Sequence, residues 1–210
     1  MSGHIFKELK AHAPFTIFGT ITGVLIMIFS LKLSYEVSYN IFYVLHPLHV
    51  FLSAMVTAAM YKLHTCSSIG VNCIKGKCNF WVLTIIGYIG SVGIATISDS
   101  LIPYAAESLL GMPNRGIHLG FIEKWWLVNP LAILGIVIAC VKPRTKFPHA
   151  GHVLLSTWAS LFHMIMAKIE ILSWFSYAAI FVFLFLAVWL PCCVSDIVFP
   201  LLFVRNNRIK

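Results

Sequence analysis

The sequence predicts an all-α integral membrane protein: six transmembrane helices arranged as two inverted three-helix repeats. Three observations carry this prediction. Hydrophobic residues make up 60% of the 210-residue chain against 10% charged, and the mean hydropathy of +0.90 lies far above that of a soluble domain. The apolar residues gather into six runs of about 20 residues, the length a helix needs to cross a bilayer core of about 30 Å. A short polar phrase also recurs in the two halves of the chain, in the same order.

The runs lie near 13–33, 41–62, 80–102, 125–141, 149–168 and 175–203. Helices are expected throughout, because lipid offers no partner to an unpaired backbone group. Ahead of the first run, residues 1–11 carry Glu8 and do not read as a cleavable leader, and the run itself is long enough to persist as a helix. Pro47, Pro103, Pro130 and Pro191 mark where the later helices start, bend or end. Pro148, just ahead of the fifth run, suits a first helical turn. The two longest connections, 63–79 and 103–124, are ordinary for a small membrane protein. Gly19, Gly23, Gly87, Gly90 and Gly93 fall inside runs, where small residues let helices approach closely.

In the repeated phrase, His46, His49, Val50, Leu52 and Ser53 return as His149, His152, Val153, Leu155 and Ser156 at a constant offset of 103. Ser98-Asp99 with Pro103 returns as Ser195-Asp196 with Pro200, and His12 with Phe15 returns as His118 with Phe121. A duplication that served packing alone would repeat an apolar pattern. Here histidine and aspartate recur inside segments where polar atoms are most costly to bury. The units are 1–104 and 105–210, within one membrane domain. Three helices per unit is an odd number, so the second unit enters from the opposite side, giving an inverted repeat about an axis in the membrane plane.

Charge sets the expected orientation. With the amino terminus in the cytoplasm, eleven Lys and Arg side chains fall on inner segments and four, Lys32, Arg115, Lys124 and Lys168, on outer ones. The positive-inside rule then puts both termini of this multi-pass protein in the cytoplasm. The net charge of +8 reads as a topology signal, with juxtamembrane cations meeting anionic lipid rather than nucleic acid.

Threading the chain through the bilayer sorts the repeated residues into two sets. The outer set is His46, His49, Asp99 and His118; the inner set is His12, His149, His152 and Asp196. Each takes three residues from one unit and one histidine from the other. His-x-x-His on a helix puts two imidazoles on one face a turn apart. Three imidazoles and a carboxylate suit a divalent transition metal, zinc or iron before others. Taken singly, each residue also has a structural use: histidines near helix ends bond carbonyls, and Ser-Asp pairs terminate helices.

Other polar residues carry weaker signals. His64, Cys66, Cys73 and Cys78 share a loop expected in the cytoplasm, where thiols stay reduced; they make either a zinc site or a solvated loop, and their spacing matches no zinc pattern. Cys192 and Cys193 stand a turn from Asp196 and suit small apolar filler. Glu123 reinforces the outer set or, beside Lys124, Trp125 and Trp126, anchors an interface. His163, mid-helix and without a repeat partner, is expected to bond within the bundle, and His4 to face solvent.

No Walker sequence, nucleophile elbow or His-Glu-x-x-His is present. Three functions fit the sequence. The expected one is transport of a divalent transition-metal ion through two pseudo-symmetric His₃Asp stations near opposite faces. A b-type haem electron carrier would pair His49 with His118 and His152 with His12 as axial ligands. An intramembrane metalloenzyme would require the two sets to meet as one binuclear site. The expected partners are the lipid bilayer and the metal ion, with a homo-oligomer or larger membrane complex compatible with either. Histidine protonation near neutral pH would compete with metal and so link flux to a proton gradient.

Overall fold

The computed structural model describes residues 2–30, 32–65, 79–143, 145–167 and 173–203, without the side chains of 2–9, 11, 12, 146, 147, 193 and 197. Among the described residues all regular structure is helical: α1 (Ser2–Phe29), α2 (Tyr35–Thr65), α3 (Phe80–Leu109), α4 (Trp125–Val141), α5 (Lys146–Ala167) and α6 (Trp174–Leu202). Helices α2, α3, α6 and the Pro148–Ala167 part of α5 are long and apolar enough to cross a membrane. The apolar part of α1, Ala13–Phe29, and α4 are shorter; at 17 residues α4 rises about 25 Å.

Large apolar side chains face outward as well as filling the core, and buried polar side chains gather between the helices, as suits a bilayer solvent. Thr16, Ser53, Thr57, Ser98, Ser156 and Ser160 are buried, whereas Phe18, Leu25, Ile85, Leu134, Val182 and Leu190 face outward. Trp81, Trp125 and Trp174 stand exposed at the starts of α3, α4 and α6, where indoles favour the headgroup level.

Local signals set the helix ends. Ser34 Oγ accepts the Val37 N–H (3.3 Å), Asn79 Oδ1 the Trp81 N–H (3.0 Å) and Ser173 Oγ the Ser176 N–H (3.1 Å), each filling an orphan donor of a first turn. At the end of α3 the chain turns left-handed at Gly111 (φ 65°). There the Met112 N–H reaches back to the Glu107 carbonyl (2.9 Å) and the Gly111 N–H to that of Ser108 (3.3 Å). The buried Lys62 ammonium near the end of α2 donates to the Cys140 carbonyl at the end of α4, where cations favour the helix dipole.

Helices α2 and α5 form the centre and run antiparallel, since Phe42 meets His163, His49 meets His152 and Leu52 meets Gly151. Helix α1 packs on α5 and α6, with Gly19 against Thr157 and Gly23 against Leu161 and Leu184. Helix α4 packs on α2 and α3. A Cβ at Gly135 would lie 2.5 Å from the Phe51 carbonyl oxygen, so glycine is what lets α4 reach α2. The first helix of each half thus packs against the second and third helices of the other.

Candidate metal centres

Two groups of three side chains have geometry that could hold a metal ion: His46, His49 and Asp99, and His149, His152 and Asp196. Each pairs a His-x-x-His turn on a central helix, α2 or α5, with an aspartate on the next helix, α3 or α6.

The aspartates sit where the helix widens. Asp99 lies in a π turn, Ile97–Leu101, and Asp196 in another, Val194–Val198; in the first the Ile102 N–H bonds the Ile97 carbonyl, five residues back. In both copies a proline follows the aspartate by four residues, Pro103 and Pro200, and leaves the aspartate carbonyl without its α-helical donor. Proline is not what a widened turn requires, since Ile89–Gly93 is a π turn without one and Pro47 and Pro130 lie within α-helix.

In the first trio, His46 Nδ1 and His49 Nδ1 lie 2.9 and 2.7 Å from Asp99 Oδ2. The other carboxylate oxygen accepts hydrogen bonds from Ser98 Oγ (2.7 Å) and from Ser156 Oγ (2.8 Å), which comes from the other half. All three side chains are buried. The His46 ring lies against the backbone of Gly120, where a Cβ would sit 2.5 Å from the ring, and His46 Nε2 has no hydrogen-bond partner.

In the second trio, His149 Nδ1 lies 2.5 Å from Asp196 Oδ2, and His152 Nε2 lies 3.0 Å from the same oxygen. The His152 approach is close but misaligned, so both its ring nitrogens, like Asp196 Oδ1, lack a hydrogen-bond partner. His152 and Asp196 are buried, while the His149 side chain keeps 24% of its surface exposed. Buried polar atoms without partners are costly to leave so, and at the second trio His152 Nε2 and Asp196 Oδ1 are such atoms beside His149 Nδ1. That donor set fits a divalent transition metal.

The halves interlock through the serines of the repeated phrase. Ser156, on α5, bonds Asp99 and Ser98; Ser53, its repeat counterpart on α2, bonds Ser195 Oγ (3.1 Å), next to Asp196. Thr57 also reaches Ser195 Oγ (3.1 Å), and Ser160 donates to the Ser98 carbonyl (3.0 Å).

The expected separation of the two sets to opposite faces gives way to adjacency, because the His49 and His152 rings meet edge to face with centroids 5.6 Å apart. The reason lies in helix length. Helix α2 starts at Tyr35, well ahead of the expected residue 41, which puts His46 about 16 Å from its first residue. Helix α3 likewise continues to Leu109, past Asp99. Because α2 and α5 are antiparallel, the four imidazoles fall in the axial order His46, His49, His152, His149.

The fourth member expected in each set is not seen in place. His118 is placed outside the first trio: its Nδ1 lies 3.5 Å from Glu123 Oε2 and its ring 5.2 Å from that of His163. Phe42 stacks on His46 at 5.3 Å and also touches the rings of His118 (6.2 Å) and His163 (5.5 Å). Burial holds the His118 imidazole below its ordinary pKa and His163 adds to that, with Glu123 opposing. The His12 side chain lies outside the described residues, as does that of His4.

The remaining residues sort as follows. His163 does bond within the bundle, its Nδ1 lying 2.7 Å from Glu107 Oε1, a buried carboxylate that the sequence reading passed over. Glu123 accepts from the Tyr43 hydroxyl (2.5 Å) and the Leu119 N–H (3.1 Å). Cys192 is buried with Val153 and Val188, and the Cys193 side chain is outside the description. His64 is exposed with its Nδ1 2.8 Å from the Met60 carbonyl oxygen, and Cys66, Cys73 and Cys78 lie outside the described residues.

No family model matches the chain, and no curated protein or solved structure matches it either, which leaves the geometry of the trios as the ground for function.

Proposed function

We propose that the protein transports a divalent transition-metal ion, zinc or iron, across a membrane through two stations, His46–His49–Asp99 and His149–His152–Asp196. The supporting observation is the axial file of four imidazoles with a carboxylate beside each pair. An ion held by one trio is within one ring contact of the next, so transfer between stations needs no passage through lipid. The chain would cross the membrane six times with both termini in the cytoplasm. Units 1–104 and 105–210 would then be inverted copies about an axis between His49 and His152; the antiparallel α2 and α5 and the reciprocal serine bonds support that symmetry.

Chemically, each station replaces the water shell of the ion with imidazole nitrogen and carboxylate oxygen. The protons shared between Asp99 and its two histidines are what an arriving ion displaces, so loading releases protons. Asp99, pinned by Ser98 and Ser156, keeps its orientation during exchange. Asp196 has a free oxygen with which to follow the ion. Rocking of one half against the other around the shared serines would open the stations in turn.

One observation favours a second reading. The contact between the trios is also what an intramembrane metalloenzyme with a paired-metal centre would show.

Vesicles containing the purified protein and a trapped metal-sensitive dye separate these functions. Transport predicts uptake of zinc or ferrous iron, abolished by His49→Ala and by His152→Ala. Vesicles that stay tight to both metals while the protein binds them stoichiometrically would overturn transport in favour of the enzyme. A dithionite-reducible Soret band would overturn both in favour of haem.

A further inference from the structure

We infer that Glu123, His118, His163 and Glu107 form a proton relay that runs from the protein surface into the bundle on a path separate from the metal trios. It rests on the transport reading for its coupling to metal and not for its chemistry.

The four groups form a graded series. Glu123 retains 33% of its side-chain surface, His118 retains 14%, and His163 and Glu107 are buried. His118 Nδ1 lies 3.5 Å from Glu123, the His118 and His163 rings are 5.2 Å apart, and His163 Nδ1 lies 2.7 Å from Glu107. The ring gap is spanned by one water or a small ring rotation. Imidazole and carboxyl groups can each take up a proton at one atom and pass one on from another.

Two atoms point to such a role: His163 Nε2 and Glu107 Oε2 are buried and have no hydrogen-bond partner among the described residues. A histidine present only to satisfy Glu107 would need one nitrogen. A relay needs both: a proton arrives at Nε2 from the His118 side while the proton on Nδ1 passes to Glu107, and the imidazole returns to neutral with its tautomer exchanged. Charge and protons balance, and the proton taken up by Glu107 is returned along the same path.

The path does not use the trio side chains: the Phe42 ring packs on His46 as well as on His118 and His163. Among the described residues the other titratable groups beside the path include Tyr39, packed on His118, Tyr43, bonded to Glu123, Tyr35, stacked on Tyr39 and within reach of the Glu123 charge, and Lys124, whose ammonium lies 5.4 Å over the Tyr39 and Tyr43 rings. Lys124 offsets the Glu123 charge at the mouth. Glu107 is therefore a proton-loading carboxylate at the buried end of the path, with Phe42 packed on both His163 and His46.

The full chain in lipid nanodiscs allows a test by infrared difference spectroscopy. Acidification should produce a protonated-carboxyl band that Glu107→Gln removes, and His118→Ala should slow its appearance by about tenfold or more, the usual worth of a positioned proton carrier. Bound metal should be unchanged in both variants, which shows that they are folded. A Glu107 band insensitive to pH, or one that forms as fast in His118→Ala, overturns the relay. Wild-type vesicles that move no zinc would refute transport alone, because the infrared result needs no transport.

Discussion

The two trios carry the same ligands from the same repeated phrase, and they are not equivalent. The first is closed: every side chain is buried, both Asp99 oxygens are engaged, and Gly120 covers the His46 ring. The second is open: His149 reaches the surface, Asp196 Oδ1 has no partner, and His152 approaches the carboxylate without aligning to it. The difference comes from the surroundings. In the first half, α2 and α3 extend well past the trio and the 116–123 segment folds over it; in the second, α5 begins only three residues before His149. A pre-organised trio suits tight holding and an open, unsatisfied one suits exchange with solvent.

The largest effect that would break this comparison concerns the carboxylates. Asp99→Ala should remove the first ion and also destabilise the protein by about 3–5 kcal/mol, since it leaves two buried imidazoles and two serines facing a void. Asp196→Ala should remove the second ion with a smaller loss of thermal stability, because His149 can turn to solvent. Equal losses in thermal unfolding would erase the distinction. Next come the ligands: His49→Ala and His152→Ala should each cost one bound ion and the double variant both, as read by elemental analysis. Gentle chelation should sharpen the contrast further by stripping the ion at Asp196 before the one at Asp99.

Smaller effects test the supports. Ser156→Ala removes a direct bond to Asp99 and should weaken the first site by about 10–100-fold, whereas Ser53→Ala, which touches Ser195 rather than Asp196, should weaken the second by less. Gly120→Ala drives a methyl into the His46 ring and should weaken the first site alone in a metal titration. His163→Ala should leave metal content intact while lowering stability by about 1–3 kcal/mol, the cost of an unpaired Glu107.

Much of this was legible in the sequence. Each apolar run overlaps a helix, though 13–33, 149–168 and 175–203 overrun their helix ends, and six repeated residues, His46, His49, Asp99 and their counterparts, come together in threes. The π turns at the aspartates were not legible: a proline follows each aspartate by four residues, but Ile89–Gly93 widens without one and Pro47 and Pro130 sit in α-helix. Depth was not legible, because α2 begins in the polar sequence Tyr35-Glu36 and gains its first turn from a Ser34 cap rather than from apolar residues. Nor was Glu107, a single carboxylate near the end of an apolar run whose partner His163 lies 56 residues away. His118 shared the repeat but not the destination: its segment is held by Ser100, which donates to its carbonyl (2.6 Å), and by Glu123.

The central claim is that the duplicated phrase builds two adjoining metal stations, and anomalous scattering from crystals of the protein grown with zinc tests it most directly. The account predicts two peaks per chain, one bounded by His46, His49 and Asp99 and the other by His149, His152 and Asp196, with the second weakening first as zinc is withdrawn. No peak in either trio, or a single peak among His118, His163 and Glu107, would contradict it.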